Sequence, residues 1–515
     1  MVLPLQATTS TYLTCMKDSK YVLSEHRLIS KIGMDMDYLA APVFVTLALA
    51  TLLLRLVLRW RVGELCHPRL PPGSRGLPLF GETLEFFTAS PTLELLPFFK
   101  RRLERYGPIF RTSLVGEDLI VSLDPELSTR VLQEEERAFQ IWYPPSFMRV
   151  LGADSIIAAL GPLHRHIRAL MLRLFGPESL RLVLLPDVQR SARAELRSWL
   201  RLPDVEVRAA TSRQMIFGVT AKKLISHDDA ASEGSLWKCF DACTSGLLAF
   251  PLCVPGTAFY RCMQGRRRVM KMLKEQLGAR RNEPEREGVD FFDLVIHELD
   301  KPESELNENM ALDLLFLMLF ASHETTSIGL TVILKFLTDN PKALQELTEE
   351  HENVQKRAGA DPDSDEITWE EYKSMKFTSH VIHEALRLAN IAPVVFRKTI
   401  QDVQINDYTI PQGSKVMICS SAAHLNPKVY ENPSVFNPWR WKDILEPVGG
   451  SKNFMAFGGG LRLCVGADFA KLQMAIFLHC LVIKYRWEAI SGGTMMFYPG
   501  LRFPDGFHIK LLPKD

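Results

Sequence analysis

The 515 residues are 47% hydrophobic and 23% charged, and 61 Lys and Arg against 60 Asp and Glu leave a formal net charge of +1. Such a chain fills a large core and lacks the broad basic surface that a nucleic-acid partner demands. The nine cysteines, scattered from Cys15 to Cys480, exclude the dense disulfide framework of a small secreted domain and read as reduced thiols facing the cytosol. Cys239, Cys243, Cys253 and Cys262 lie closest together. Without a paired CxxC, and among apolar neighbours, they read as buried thiols rather than zinc ligands.

Residues 1–33 are polar and aperiodic, and are expected to be a disordered extension to which no function is assigned. From Tyr38 to Leu54 seventeen residues carry no charge, and the apolar run continues past Arg55 to Leu58. That reaches the ~20 residues needed to cross a bilayer core, so residues 34–60 are expected to form a single transmembrane anchor. Asp35 and Asp37 precede the run and Arg55, Arg59 and Arg61 follow it, which places the remainder of the chain in the cytosol. A cleaved secretory signal has a shorter apolar region followed by a small-residue cleavage site.

Prolines resist helix continuation, so the proline-rich residues 61–82 read as a stiff linker. Residues 83–515 then form one large domain, since the candidate chemical residues spread from His164 to Gly466. Within it Gly107–Leu123 alternates around Val115-Gly116-Glu117-Asp118 as a β-hairpin. Helical spacing dominates at 178–201, 262–281 and 308–338. Strand-like material returns at Val395–Ile410 and at the C-terminus, giving a mainly α fold with smaller β-sheets (α+β). No internal repeat or low-complexity tract is evident.

Near the C-terminus Phe457, Gly460, Arg462, Cys464 and Gly466 fit F-x-x-G-x-R-x-C-x-G, ahead of a helical run from Ala467. Glycines there permit close approach of a flat ligand. A cysteine near a helix N-terminus, with Arg462 and Lys471 as its neighbouring cations, is expected to ionise readily. Such a thiolate is a strong axial ligand for haem iron. Upstream, the acid-alcohol pair Glu324-Thr325 stands in the middle of a long apolar helix, where burial of polar groups is costly. A satisfied core threonine beside an ion-paired glutamate is the competing account of that pair.

These stretches resemble the cytochrome P450 family, and the resemblance covers nearly everything after the linker. It is closest to the plant microsomal branch that oxidises sterols, brassinosteroids and triterpenoids, through LPPGSRGLPLFGETLEFF, ASHETTS, ITWEEYKSMKF, FNPWRW and FMAFGGGLRLCVGADFAKLQ. The resemblance implies haem b with Cys464 as axial ligand, and Arg168, Arg397, Arg462 and His164 toward the haem propionates. His164 stands where the family usually has tryptophan, and a surface-helix reading of His164 and His166 competes. Glu324 and Thr325 are implied to lie over the haem and assist proton delivery, with Thr325 placed by a local opening of its helix. Ser322 follows Ala321 where the family has a small residue, often glycine. Glu384, Arg387 (E-x-x-R) and Arg440 (in FNPWRW) are implied to form a structural cluster behind the haem loop.

A membrane-anchored monooxygenase of the endoplasmic reticulum follows, with O2, an apolar polycyclic substrate, membrane lipid and an NADPH-dependent flavoprotein reductase as partners. Residues 245–268 resemble the family's access region, against ordinary core followed by a solvated basic helix. No G-x-G-x-x-G opening a βαβ unit is visible, so electrons come from outside the chain. Two rivals stay open: a haem-thiolate isomerase or dehydratase, which such relatives pair with loss of the acid-alcohol pair, and a non-enzymatic haem or ligand carrier.

Overall fold

The computed structural model describes residues 45–52, 54–55, 69–77, 80–153, 155–228, 235–247, 249–283, 290–357, 366–442 and 451–514. The chain divides into two units, Met1–Pro68 and Arg69–Asp515. In the first, residues 45–52 and 54–55 are helical, and Val45, Leu47, Leu49, Leu52 and Leu54 are all exposed. The extension expected over 1–33, and the remainder of the anchor expected over 34–60, lie outside the described residues.

The second unit is mainly helical, with strands β1 (Ile109–Leu114), β2 (Glu117–Ser122), β3 (Phe139–Ile141), β4 (Val205–Glu206), β5 (Val394–Thr399), β6 (Val403–Ile405), β7 (Tyr408–Ile410), β8 (Lys415–Cys419), β9 (Tyr485–Gly492), β10 (Met496–Tyr498), β11 (Gly500–Arg502) and β12 (Phe507–Pro513). They form a five-stranded sheet of order β1-β2-β8-β5-β3, a three-stranded sheet β4-β12-β9 and two hairpins. The predicted hairpin is β1–β2, closed by Val115 (φ 53°) and Gly116 (φ 79°), the two positive values a two-residue type I′ turn requires. β8 was not foreseen. KVMIC is a short apolar run without alternation, buried between β2 and β5, and such a run carries no period to read.

The helices of the described residues include α1 (Pro125–Gln133), α2 (Gly161–Phe175), α3 (Leu185–Trp199), α4 (Ser235–Leu247), α5 (Ala258–Arg281), α6 (Glu308–Asp339), α7 (Lys376–Ala389) and α8 (Ala467–Lys484). α1 starts at Asp124, whose carboxylate accepts the N–H groups of Glu126 (2.7 Å) and Leu127 (2.8 Å), with Pro125 at the first helical position. α6 starts at Asn307, whose side chain accepts Met310 N–H at 2.9 Å, and stops at Asn340-Pro341. It is long and apolar enough to cross a membrane, yet 72% of its most apolar stretch is buried inside protein, which makes it the core helix. Gly329 marks where α6, α7 and α8 meet: a Cβ there would lie 3.1 Å from Met474 Sδ and 3.5 Å from Leu386 Cδ2.

The proline-rich stretch revises the expected linker. From Arg69 onward it belongs to the second unit and is docked on the edge of β1. Prolines lack an N–H but keep their carbonyls, so Arg111 N–H donates to Pro72 O (2.8 Å) and Arg111 Nε to Pro71 O (2.7 Å). Glu82 N–H donates to Ser113 O (2.8 Å), and its side chain pairs with buried Arg102 at 2.7 Å. Two glycines allow the approach: a Cβ at Gly73 would sit 2.1 Å from Arg111 O, and one at Gly81 2.1 Å from Ser113 O. Removing residues 1–68 should therefore leave the urea midpoint of the second unit unchanged. Removing residues 1–82 takes the partner of β1 and one carboxylate of Arg102, and should cost about 3 kcal/mol or more; equal midpoints for the two truncations would overturn this boundary.

Candidate active site

The local frame is built on one carboxylate. Glu384 and Arg387 stand one turn apart on α7, both fully buried, and pair through Nε–Oε2 (2.9 Å) and Nη2–Oε1 (2.8 Å). Glu384 also accepts from Arg440 Nε (3.0 Å), Asn437 N–H (3.0 Å) and Trp441 Nε1 (3.0 Å). Arg387 spends its remaining donors on His424 O (2.6 Å) and Pro433 O (2.7 Å). His424 carries the connection forward. Its Nε2 accepts the N–H of Met455 at 2.8 Å, so its Nδ1 bears the proton and donates to Asn390 Oδ1 at 2.7 Å. Burial pulls the imidazole down to about 3, and it stays neutral.

Met455 opens the cysteine loop. Gly458 N–H donates to Met455 O (2.9 Å) and Cys464 N–H to Phe457 O (3.0 Å), folding residues 457–464 back on themselves. Gly460 has φ 63°, and a Cβ there would fall 2.0 Å from Leu132 O, so the loop seats on the end of α1 only because Gly460 has none. A Cβ at Gly466 would meet nothing within 4 Å. Cys464 then precedes α8. Its side chain is accessible to a water-sized sphere although surrounded by protein, the pattern of a group lining an interior space.

That environment corrects the electrostatic expectation. Burial pushes the Cys464 thiol up, against smaller opposing pulls from the Gly466 N–H and the Arg168 guanidinium. The neighbours in sequence are engaged elsewhere: Lys471 pairs with Asp468 (2.8 Å) and Arg462 with Glu135 (2.7 Å). The cation that faces the sulfur is Arg168 of α2, whose Nη1 donates to Leu463 O at 2.6 Å.

Arg397 and Arg462 do come together, around a residue the sequence reading passed over. Glu135 lies in QEEERAF, which reads as a solvated charge run, yet its side chain is fully buried. It holds Arg462 Nε at 2.7 Å and lies 2.8 Å from Arg397 Nε. Glu135 Oε2 and Arg397 Nε are not aligned as a hydrogen bond, so both keep buried polar capacity open. Arg462 Nη1 and Nη2 donate to Ile156 O (3.1 Å) and Ala159 O (2.6 Å). His164 is buried beside this group, which removes its surface-helix reading; burial, Arg462 and Arg168 hold it down to about 4, so it is neutral. His166 is the surface member, 2.9 Å from Glu298.

On α6 the acid and the alcohol part company. Glu324 Oε2 is 3.1 Å from Arg208 Nη1, and Arg208 also lies 3.7 Å from Asp241 of α4. Thr325 Oγ1 donates to Ala321 O at 2.9 Å, one turn back. The helix is continuous from Glu308 to Asp339, so the local opening expected at Thr325 is not there: the hydroxyl satisfies itself on the existing ladder. Ser322 likewise donates to Leu319 O (3.1 Å). Ala321 and Thr325 are exposed in the middle of a largely buried helix, one turn from the crossing with α8 at Gly329.

The family described as Cytochrome P450 matches residues 236–500. The chain is 50% identical over 467 residues to Cytochrome P450 87A3 of Oryza sativa subsp. japonica, covering 90% of this chain and 89% of that protein. It is 41% identical over 478 residues to Cucurbitadienol 11-hydroxylase of Siraitia grosvenorii, covering 92% and 99%. Among solved structures, retinoic acid bound cyanobacterial CYP120A1 superposes with a TM-score of 0.76 at 27% identity, covering 87% of this chain and 100% of that one.

Glu384→Gln leaves two buried guanidiniums without their carboxylate, and should cost about 3–5 kcal/mol with loss of the cysteine-loop conformation. Urea unfolding and cofactor content of the purified variant check this; a variant with unchanged midpoint and content would remove the cluster from its structural role.

Proposed function

The chain belongs to the cytochrome P450 family, and from that premise we propose a membrane-anchored monooxygenase that hydroxylates a rigid, apolar polycyclic substrate of the sterol, brassinosteroid or triterpenoid class. Relatives of this chain are plant steroid and triterpenoid hydroxylases. The observation that carries the reading is the cysteine loop: one thiol, reachable from inside the protein, held by a glycine-dependent turn at the start of α8. The donor set fits haem. Family members hold it through a cysteine thiolate, and when bound it supplies the oxidising chemistry that puts one oxygen atom of O2 into a C–H bond.

Cys464 would hold the haem iron through its sulfur in this proposal. Burial raises the free thiol's pKa, and a bound metal cation would favour its ionised form. Phe457, Gly460 and Gly466 would shape the loop that receives the haem. Arg168, Arg397 and Arg462, with neutral His164 as hydrogen-bond donor, hold its two carboxylates. Glu384, Arg387 and Arg440 brace the loop from behind.

Thr325 would contribute from α6. Its hydroxyl donates to Ala321 O on an exposed residue, so rotation about χ1 would free the same proton to act as a positioned donor. Glu324 is tied to Arg208 and reaches that route only when this pair opens. The exposed apolar helix within residues 45–55 supports the anchor in the endoplasmic reticulum membrane with the second unit cytosolic. An NADPH-dependent flavoprotein reductase in the same membrane supplies the electrons. The name of one relative, Cucurbitadienol 11-hydroxylase, supports the polycyclic substrate class.

Two outcomes test this. The reduced carbon monoxide complex should show the red-shifted Soret band of thiolate ligation, and Cys464→His should lose that band together with hydroxylation of a sterol and triterpene panel in reductase-containing membranes; retention of both sinks the assignment. Thr325→Ala should keep haem content and ligand affinity while diverting NADPH flux from hydroxylated product to hydrogen peroxide. The loss of product is bounded by the ~10²–10⁴ of general acid catalysis. Product formation independent of reductase and unchanged in the variant would instead place the chain among isomerases or dehydratases.

A further inference from the structure

The buried carboxylate at residue 135 has no assigned purpose, and its setting is specific. It sits just beyond α1, in a turn closed by Glu136 at φ 69°, a value L side chains seldom adopt. Glu136 itself accepts Gly161 N–H at the start of α2 (2.9 Å) and pairs with Arg165 (3.1 Å), so its charge is met locally and the turn is pinned to the helix that carries His164 and Arg168. Glu135 is thereby directed inward, between Arg397 of β5 and Arg462 of the cysteine loop. Two guanidiniums buried this deeply repel each other through a medium that screens poorly, and a single carboxylate between them offsets that repulsion.

We propose that Glu135 is a positioning residue for haem, which fixes the aim of Arg397 and Arg462 and sets the charge of the site that receives the two haem carboxylates. The three arginines and Glu135 together carry +2, equal and opposite to two ionised carboxylates, so the loaded site is neutral. His164 adds nothing to that balance, being neutral, and Arg165 and Glu136 cancel each other. A buried site with matched charge holds its ligand without stranding any ion, whereas three unopposed arginines would leave one uncompensated. The inference rests on the haem-thiolate reading and goes beyond it by giving a role to a residue that acts through Arg397 and Arg462.

The test uses the full-length holoprotein and reads the haem reduction potential. Glu135→Gln keeps the size and hydrogen-bonding of the side chain and removes the charge, so the reduced, more negative haem is favoured. The reduced-to-oxidised ratio at fixed potential should rise about threefold or more, which is about 28 mV at 59 mV per tenfold for one electron. Glu135→Asp should stay near wild type. The double variant Glu135→Gln/Arg397→Gln restores the charge balance, and its potential should return toward wild type even though a second contact has been lost. If Glu135→Gln cannot be loaded with haem but the double variant can, charge matching is again supported. A potential unmoved in Glu135→Gln, an equal shift in Glu135→Asp, or failure of both the single and the double variant to take up haem would overturn the proposal. Absence of the red-shifted Soret band in the wild-type protein would overturn the haem-thiolate reading itself, so the two failures are distinct.

Discussion

One buried carboxylate, Glu384, organises the half of the molecule that matters for chemistry. It is fully buried and surrounded by donors from α7 and from residues 437–441. Carboxylates are seldom buried unless they are this fully satisfied. Satisfaction here has a geometric cost: Arg387 and Arg440 can reach Glu384 only if the chain between 390 and 440 takes one path. Arg387 then fixes His424 through the backbone, and His424 fixes Met455, the first residue of the cysteine loop. The position of Cys464 is thus dictated by a chain of hydrogen bonds that starts at a residue eighty positions upstream. No apolar packing has comparable directional content.

A second balance of charge operates on the other flank of the loop, and the two differ in kind. Around Glu384 the partners are saturated, which suits a frame. Around Glu135 buried polar atoms keep unused capacity, which suits a site that takes a ligand. Cys464 lies between the two flanks in surroundings that favour its neutral form.

Much of this was legible in the sequence because it was written in spacing. F-x-x-G-x-R-x-C-x-G, the i,i+3 pair Glu384 and Arg387, and the period of α6 all survive as local pattern, and the structure brings Glu384, Arg387 and Arg440 together as read. What escaped was set by contacts across the chain. Glu135 sits in a run of three glutamates whose members have three fates: one pairs with Arg130 on the surface, one is buried, one pins α2. Composition cannot tell them apart. His424 was passed over because a lone histidine before Leu425-Asn426-Pro427 has no pattern, and its value comes from Met455, thirty-one residues away. The prolines misled in the opposite sense: they forbid helix and suggest a spacer, but their free carbonyls make them good edge partners for β1. Thr325 looked like the point of a helix distortion, and its hydroxyl turned out to fit the undistorted ladder.

The spread of the Glu135 cluster along the chain also has a temporal meaning. Synthesis runs from the N-terminus, and domains begin to fold as they emerge. Residues 135 and 168 appear early, 397 much later, and 462 and 464 later still. The frame on Glu384 is equally late, since it waits for Arg440. A chain emerging from its N-terminus therefore presents Glu135 and Arg168 well before their partners from β5 and the cysteine loop, so this cluster and the frame on Glu384 close only after most of the helices have been synthesised.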